Sequence, residues 1–194
     1  MAASPPTDAG TAVLIPVKRF DAAKLRLAPA LDAPARAALA RSMADCVLRA
    51  ASGLPVIVVC DDAGVAAWAE EREVEVLWTA RLGLNGAVAT GVAHLRDAGL
   101  RRVIVAHADL PFAAAGSLAN LPRSGVVLVP DRHEDGTNVA SVPTVAEFPW
   151  SYGPGSFARH RAAGLALGQD VTVIRDLELG WDVDTPADLT PAPS

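Results

Sequence analysis

Residues 102–111 read RVIVAHADLP, and the fold turns on them. The run from Val103 to Ala106 has no polar face, so a strand built from it is covered on both sides. That is the habit of a parallel sheet between two helical layers. Working outward, the same kind of run recurs at 11–17 (TAVLIPV), 55–60 (PVIVVC) and 125–130 (GVVLVP). Shorter strand-like runs fall at 74–78 (VEVLW), 139–143 (VASVP) and 171–174 (VTVI). Between them, apolar residues fall at helical spacing over 33–52, 62–72, 85–98 and 155–167. Strands alternating with helices predict an α/β chain: one three-layer α/β/α domain over 11–189 with a mostly parallel sheet. The Pro-, Ala- and Ser-rich ends, 1–10 and 190–194, are expected to be frayed tails.

Composition narrows the function. The chain has 194 residues, 51% of them apolar and 20% charged, which suits one well-buried core. A net charge of -5 argues against a nucleic-acid binder held by phosphate neutralisation. No apolar stretch reaches 18 residues and no leader is visible, so no membrane partner is expected and a cytoplasmic setting is. Cys46 and Cys60 are too few for a disulfide framework and are expected to pack as small hydrophobes. His94, His107, His133 and His160 share no zinc-ligand spacing.

Ligands of open α/β sheets sit beyond the carboxyl ends of the strands, so the polar segments following each strand are the candidates. After the first strand come Lys18, Arg19, Lys24 and Arg26, four cations within nine residues. These suit a polyphosphate, yet neither a P-loop nor a dinucleotide fingerprint is present. Lys18 and Lys24 are the sole lysines among 17 basic residues, which marks either a chance cluster on a solvated loop or positions where a compact ammonium is needed. Asp109 follows the strand 102–107. It is either a magnesium anchor or the cap of a helix starting at Pro111. Asp182 and Asp184, two apart, share a side if the segment is extended. Asn85 either caps a helix or reads the edge of a base. Gly153-Pro154-Gly155-Ser156 opens a helix whose free N–H groups favour an anion, with Thr137 in a nearby turn and Ser156 alternatively a cap. No covalent nucleophile is visible, consistent with direct nucleotidyl transfer.

Together, IPVKRFDAAKLRL (15–27), GLNGAV (83–88), ADLP (108–111), DGTNVASV (135–142), YGPGSFARH (152–160) and DVDTPADL (182–189) resemble the guanylyltransferases of deazaflavin coenzyme F-420 biosynthesis. The resemblance implies a nucleotide-diphospho-sugar-transferase-like domain that takes GTP and a small phosphorylated three-carbon acid, requires Mg²⁺ and releases diphosphate. Lys18, Lys24 and Arg26 would act on the phosphates, with Lys18, Lys24 and Asn85 on the nucleotide. Thr137, Gly153 and Ser156 would contact the acid, and Asp109 with Asp182 or Asp184 would hold the metal. An Arg-for-Lys, Ala-rich composition tilts the acceptor toward phosphoenolpyruvate, used by actinobacterial members, over 2-phospho-L-lactate. Gly86 departs from the family, standing where a bulkier small residue is expected. A homodimer and transient contact with a downstream transferase are left open. The rivals are a molybdopterin-type nucleotidyltransferase, which would carry a glycine-rich first loop, and a non-catalytic GTP-binding module.

Overall fold

The computed structural model describes residues 10–189, and the expected tails at 1–9 and 190–194 lie outside them. Gly10 is tied in, its carbonyl accepting from the N–H groups of Arg101 and Arg102. Seven strands form one sheet: β1 (Thr11–Pro16), β2 (Val56–Cys60), β3 (Glu75–Trp78), β4 (Arg102–Ala106), β5 (Val126–Pro130), β6 (Thr137–Pro143) and β7 (Val171–Val173). Their order is β3-β2-β1-β4-β6-β5-β7. All neighbours are parallel except β6, which runs antiparallel to both β4 and β5, with Ile104 opposite Ser141 and Leu128 opposite Ala140.

Four helices cover the sheet: α1 (Ala33–Ala50), α2 (Ala63–Glu70), α3 (Gly83–Asp97) and α4 (Ser156–Ala166). Strand alternation sorts the core into two faces. Val13, Ile15, Val58 and Ile104 pack under Ala44 and Val47 of α1 and Val65 and Trp68 of α2. Leu14, Val59, Val103 and Val105 pack under Val88 and Leu95 of α3. On that second face, Val126, Leu128 and Val142 meet Phe157 of α4. Gly91 is where α3 rests on the sheet: a Cβ there would lie 2.6 Å from a Leu14 methyl. The three layers predicted from the sequence are thus present. Among the described residues no helix is long and apolar enough to cross a membrane. Cys46 and Cys60 are both free, the latter buried.

A fourth, smaller cluster joins two distant segments of the chain. Leu27, Met43 and Val183 are buried together, with Trp181 against them. Leu27 ends a 3-10 turn (Leu25–Leu27) in the loop after β1, and Val183 lies between the two C-terminal acids. Burying these side chains together fastens the lysine-bearing loop to a segment about 160 positions further along the chain.

Candidate active site

Lys24 stands at the centre of the acids. Its Nζ donates to Asp109 Oδ2 at 2.6 Å and to Asp184 Oδ1 at 3.0 Å, both part-buried. The N–H of Val183 donates to the Asp109 carbonyl at 3.3 Å, so the ends of β4 and of the C-terminal segment meet directly. Val183 is buried between the partly exposed Asp182 and Asp184, and the segment is coil rather than a strand. No helix follows Asp109, so it caps nothing: residues 107–117 are turns and coil.

Electrostatics here are unbalanced. Burial works against the Lys24 ammonium, but Asp109 and Asp184 outweigh it and hold the pKa above its usual value. Burial likewise disfavours the Asp109 anion, yet Lys24 above all, with His107, keeps it below the normal carboxylate range. Asp182 has no such partner: burial, then Asp109, pushes it up to about 6. Asp109 Oδ1 is buried with no hydrogen-bond partner among the described residues. Among the described residues no three acids enclose a metal by themselves. Magnesium asks for less, one or two carboxylates completed by phosphate oxygens and water. An orphaned carboxylate oxygen beside a second, under-compensated acid fits that donor set.

The remaining cations divide. Lys18 and Arg26 are exposed at the rim, Arg26 Nη1 lying 3.8 Å from Asp184 Oδ2. Arg19 does not join them; its guanidinium pairs with Asp21 at 2.7 Å and Asp62 at 3.7 Å.

Asp188 was not singled out in the sequence, although TPAD carries a capping-box signal. Its Oδ2 accepts from the N–H of Asp184, the N–H of Thr185 and the Thr185 hydroxyl. Its Oδ1 pairs with Arg132, whose other nitrogen donates to the Asp182 carbonyl. This carboxylate shapes the acidic segment.

On the far side of the site the structure revises two assignments. Asn85 is no cap, because α3 begins at Gly83. Its Oδ1 accepts from the Tyr152 N–H at 2.6 Å and its Nδ2 donates to the Tyr152 carbonyl at 3.4 Å. Among the described residues the amide has no further hydrogen bond, leaving one N–H and one lone pair. The glycine at 86 also has a local reason, since a Cβ there would lie 2.9 Å from the Leu82 Cβ. Ser156 is no cap either: Gly155 holds that position, with φ 71°. The N–H groups expected to be free for an anion at this helix entrance are instead occupied: Gly155 donates to the Asp135 carboxylate, Ser156 to the Gly153 carbonyl and Phe157 to the Asp135 carbonyl.

Thr137 meets α4 through His160, one turn along the helix from Ser156. The three are 1%, 0% and 2% exposed. His160 Nδ1 lies 3.0 Å from Thr137 Oγ1, and its Nε2 accepts from the Ser151 N–H. Tyr152 touches both histidines, its ring meeting His160 edge-on with centroids 4.8 Å apart and His107 at a tilt with centroids 5.0 Å apart. Trp150 lies parallel to Tyr152 at 5.9 Å. The sequence offered little to mark Tyr152 beyond its being the single tyrosine.

Burial pushes the His160 pKa down to about 4, helped by Arg159 and His107. The unfolded chain takes up this proton near pH 6.5 and the folded one does not, so stability is full above that pH and is lost on acidification toward 4. Between pH 7 and 5 the loss due to His160 is about 2 kcal/mol. Urea unfolding at both pH values checks this: the acid-induced loss is smaller by that amount in His160→Gln, which cannot titrate.

The fold is of the nucleotide-diphospho-sugar-transferase type. A nucleotide-diphospho-sugar transferase candidate from Desulfovibrio desulfuricans G20 superposes with a TM-score of 0.76 at 17% identity, covering 92% of this chain and 84% of that one. A 4-diphosphocytidyl-2C-methyl-D-erythritol synthase superposes at 0.62 with 15% identity, covering 93% and 94%. Such likeness speaks for the fold. Residues 11–191 match the family described as Guanylyl transferase CofC like, and the chain belongs to that family. Proteins named phosphoenolpyruvate guanylyltransferase are 37% identical in Sphaerobacter thermophilus, covering 92% of this chain and 90% of that one, and 40% identical in Conexibacter woesei, covering 92% and 85%.

Proposed function

We propose that this enzyme, working in the cytoplasm, joins GMP from GTP to phosphoenolpyruvate and releases diphosphate. The observation that carries the proposal is the Lys24 ammonium between Asp109 and Asp184, just beyond the end of β4, where His107 touches Tyr152 and, through it, the neutral His160–Thr137 pair. The first arrangement suits phosphates in transfer; the second offers a small acid the Thr137 hydroxyl, whose oxygen already has its partner in His160. A phosphate oxygen of the acceptor attacks the α-phosphorus of GTP, the new P–O bond forming as the bond to the β-phosphate bridging oxygen breaks. Diphosphate leaves with the electron pair.

Each residue has a defined task. Lys24 holds a fixed positive charge at the reacting phosphates, where preorganised charge is most effective. Lys18 and Arg26, on the exposed rim, meet the triphosphate and the departing diphosphate. Asn85 addresses the base with the free half of its amide while anchoring Tyr152. Thr137, Ser156 and the backbone from Gly153 orient the acid. Asp109, with Asp182 or Asp184, would hold magnesium, which when bound neutralises charge on the phosphates. The guanylated product is a mixed diphosphate, suited to hand-over to a downstream transferase.

The test is diphosphate release from GTP and Mg²⁺ with phosphoenolpyruvate, 2-phospho-L-lactate or 3-phosphoglycerate in turn. Phosphoenolpyruvate is expected to give the highest kcat/KM, by about 10- to 200-fold, the range that one small group in a pocket decides. A faster 2-phospho-L-lactate reaction overturns the acceptor assignment. GTP binding without diphosphate release from any acid overturns the catalytic one.

A further inference from the structure

The neutral side of the site contains a hydrogen-bond relay whose direction can be read from one donor. The Ser151 backbone N–H points at His160 Nε2 at 3.0 Å, and a backbone N–H only donates. Nε2 therefore carries no proton, and the neutral ring is the Nδ1–H tautomer. It follows that Nδ1 donates to Thr137 Oγ1, 3.0 Å away, and the Thr137 oxygen accepts. That oxygen has no other hydrogen bond among the described residues, so its own proton is free to point elsewhere. Nothing lets the ring turn over: Phe148, Trp150 and Tyr152 surround it with centroids at 5.5, 6.1 and 4.8 Å, and it is 0% exposed.

We infer that His160 is a positioning residue for the acceptor: its Nδ1–H fixes the Thr137 hydroxyl as a donor aimed at an anionic oxygen of the phosphorylated acid. Without the imidazole, that hydroxyl is free to spend its proton on a neighbouring carbonyl, and an anion would meet a lone pair. Charge supports the assignment. Burial, Arg159 and His107 all keep the ring unprotonated at neutral pH, so the tautomer persists through the working range. The same ring holds the 151–152 backbone by accepting from Ser151, which sets the start of the Gly153–Ser156 turn that contacts the acid on the reading above. The inference rests on the proposal that Thr137 touches the acceptor.

Two substitutions separate the jobs of the two nitrogens. In His160→Asn the amide nitrogen falls near Nδ1 and keeps a donor for Thr137. In His160→Gln the terminal oxygen falls near Nε2, keeping an acceptor for Ser151 and losing the donor. The expected result is a KM for the acceptor about 10-fold higher in His160→Gln, with KM for GTP within about twofold of wild type. His160→Asn is expected to keep the acceptor KM while lowering Tm. Thr137→Val raises the acceptor KM by itself, and adding His160→Gln raises it no further, because both remove one contact. Unchanged acceptor KM in Thr137→Val overturns the placement of Thr137. A clear effect of Thr137→Val with an additive or absent effect of His160→Gln overturns the relay alone. Acceptor KM that simply follows Tm across the His160 variants makes the residue structural and also overturns it. Long-range proton–nitrogen NMR correlations of the wild-type histidines provide a check that needs no variant: a buried imidazole protonated at Nδ1 is expected, and protonation at Nε2 overturns the relay.

Discussion

Asp109→Asn reduces guanylyl transfer by at least about 10³-fold in kcat/KM and flattens its response to magnesium. The substitution preserves shape and removes one charge. In the wild-type enzyme Lys24 draws that charge into ionised form against the penalty of burial. The second carboxylate oxygen, buried without a partner among the described residues, is the best-placed acceptor for a cation on the acidic side. An amide keeps one oxygen but forfeits the anion, and Lys24 is left with Asp184 alone. The measurement is diphosphate release across a magnesium titration, with urea unfolding to confirm an intact fold. Wild-type turnover with an undiminished magnesium requirement would remove Asp109 from the centre.

Lys24→Ala lowers kcat/KM by about 10²-fold, the usual effect of losing one preorganised charge. Lys24→Gly is the sharper variant. Lys24 has φ 56° and ψ 40°, the left-handed region, which disfavours any residue with a Cβ. Alanine keeps that strain and glycine releases it, so the glycine variant is more stable than the alanine variant by about 1 kcal/mol while equally slow. Lys24→Arg does not restore the rate, since a planar fork cannot sit between two acids in place of a compact ammonium. Unchanged steady-state transfer in Lys24→Ala would refute the role. Equal stability of the alanine and glycine variants would refute the strain.

How much of this was legible beforehand varies with the physics. Runs such as 11–16 and 102–106 announce buried strands because both faces are apolar, and the alternation with helices gives the layers. The insertion of β6 between β4 and β5 is different. The six-residue link 131–136 is too short for a parallel crossover and dictates a hairpin with β5. Nothing in the local pattern says that β6 also pairs with β4. The acids and lysines were visible as residue types at strand ends. Their pairing was not, because Leu27, Met43 and Val183 bring Lys24 to Asp184 through contacts that have no short-range signature. For the same reason, Lys24 reads in the sequence as one of four cations suited to a polyphosphate, and the structure places it among carboxylates. Asn85 and His160 were visible as polar residues near a helix start, but their tasks depend on Ser151 and Tyr152, which reach them across the fold.

The reversed direction of β6 has a consequence for how such an enzyme diversifies. Because that strand runs backwards, its beginning rather than its end arrives at the catalytic edge, bringing Thr137 there directly from the hairpin and opposite the start of α4. On the proposed assignment, phosphate handling belongs to the loops of the forward-running strands, and acceptor choice belongs to this inverted insert and its helix. Exchanging the hairpin and the Gly-Pro-Gly turn is therefore a compact evolutionary route to a new acid partner that leaves the donor machinery intact.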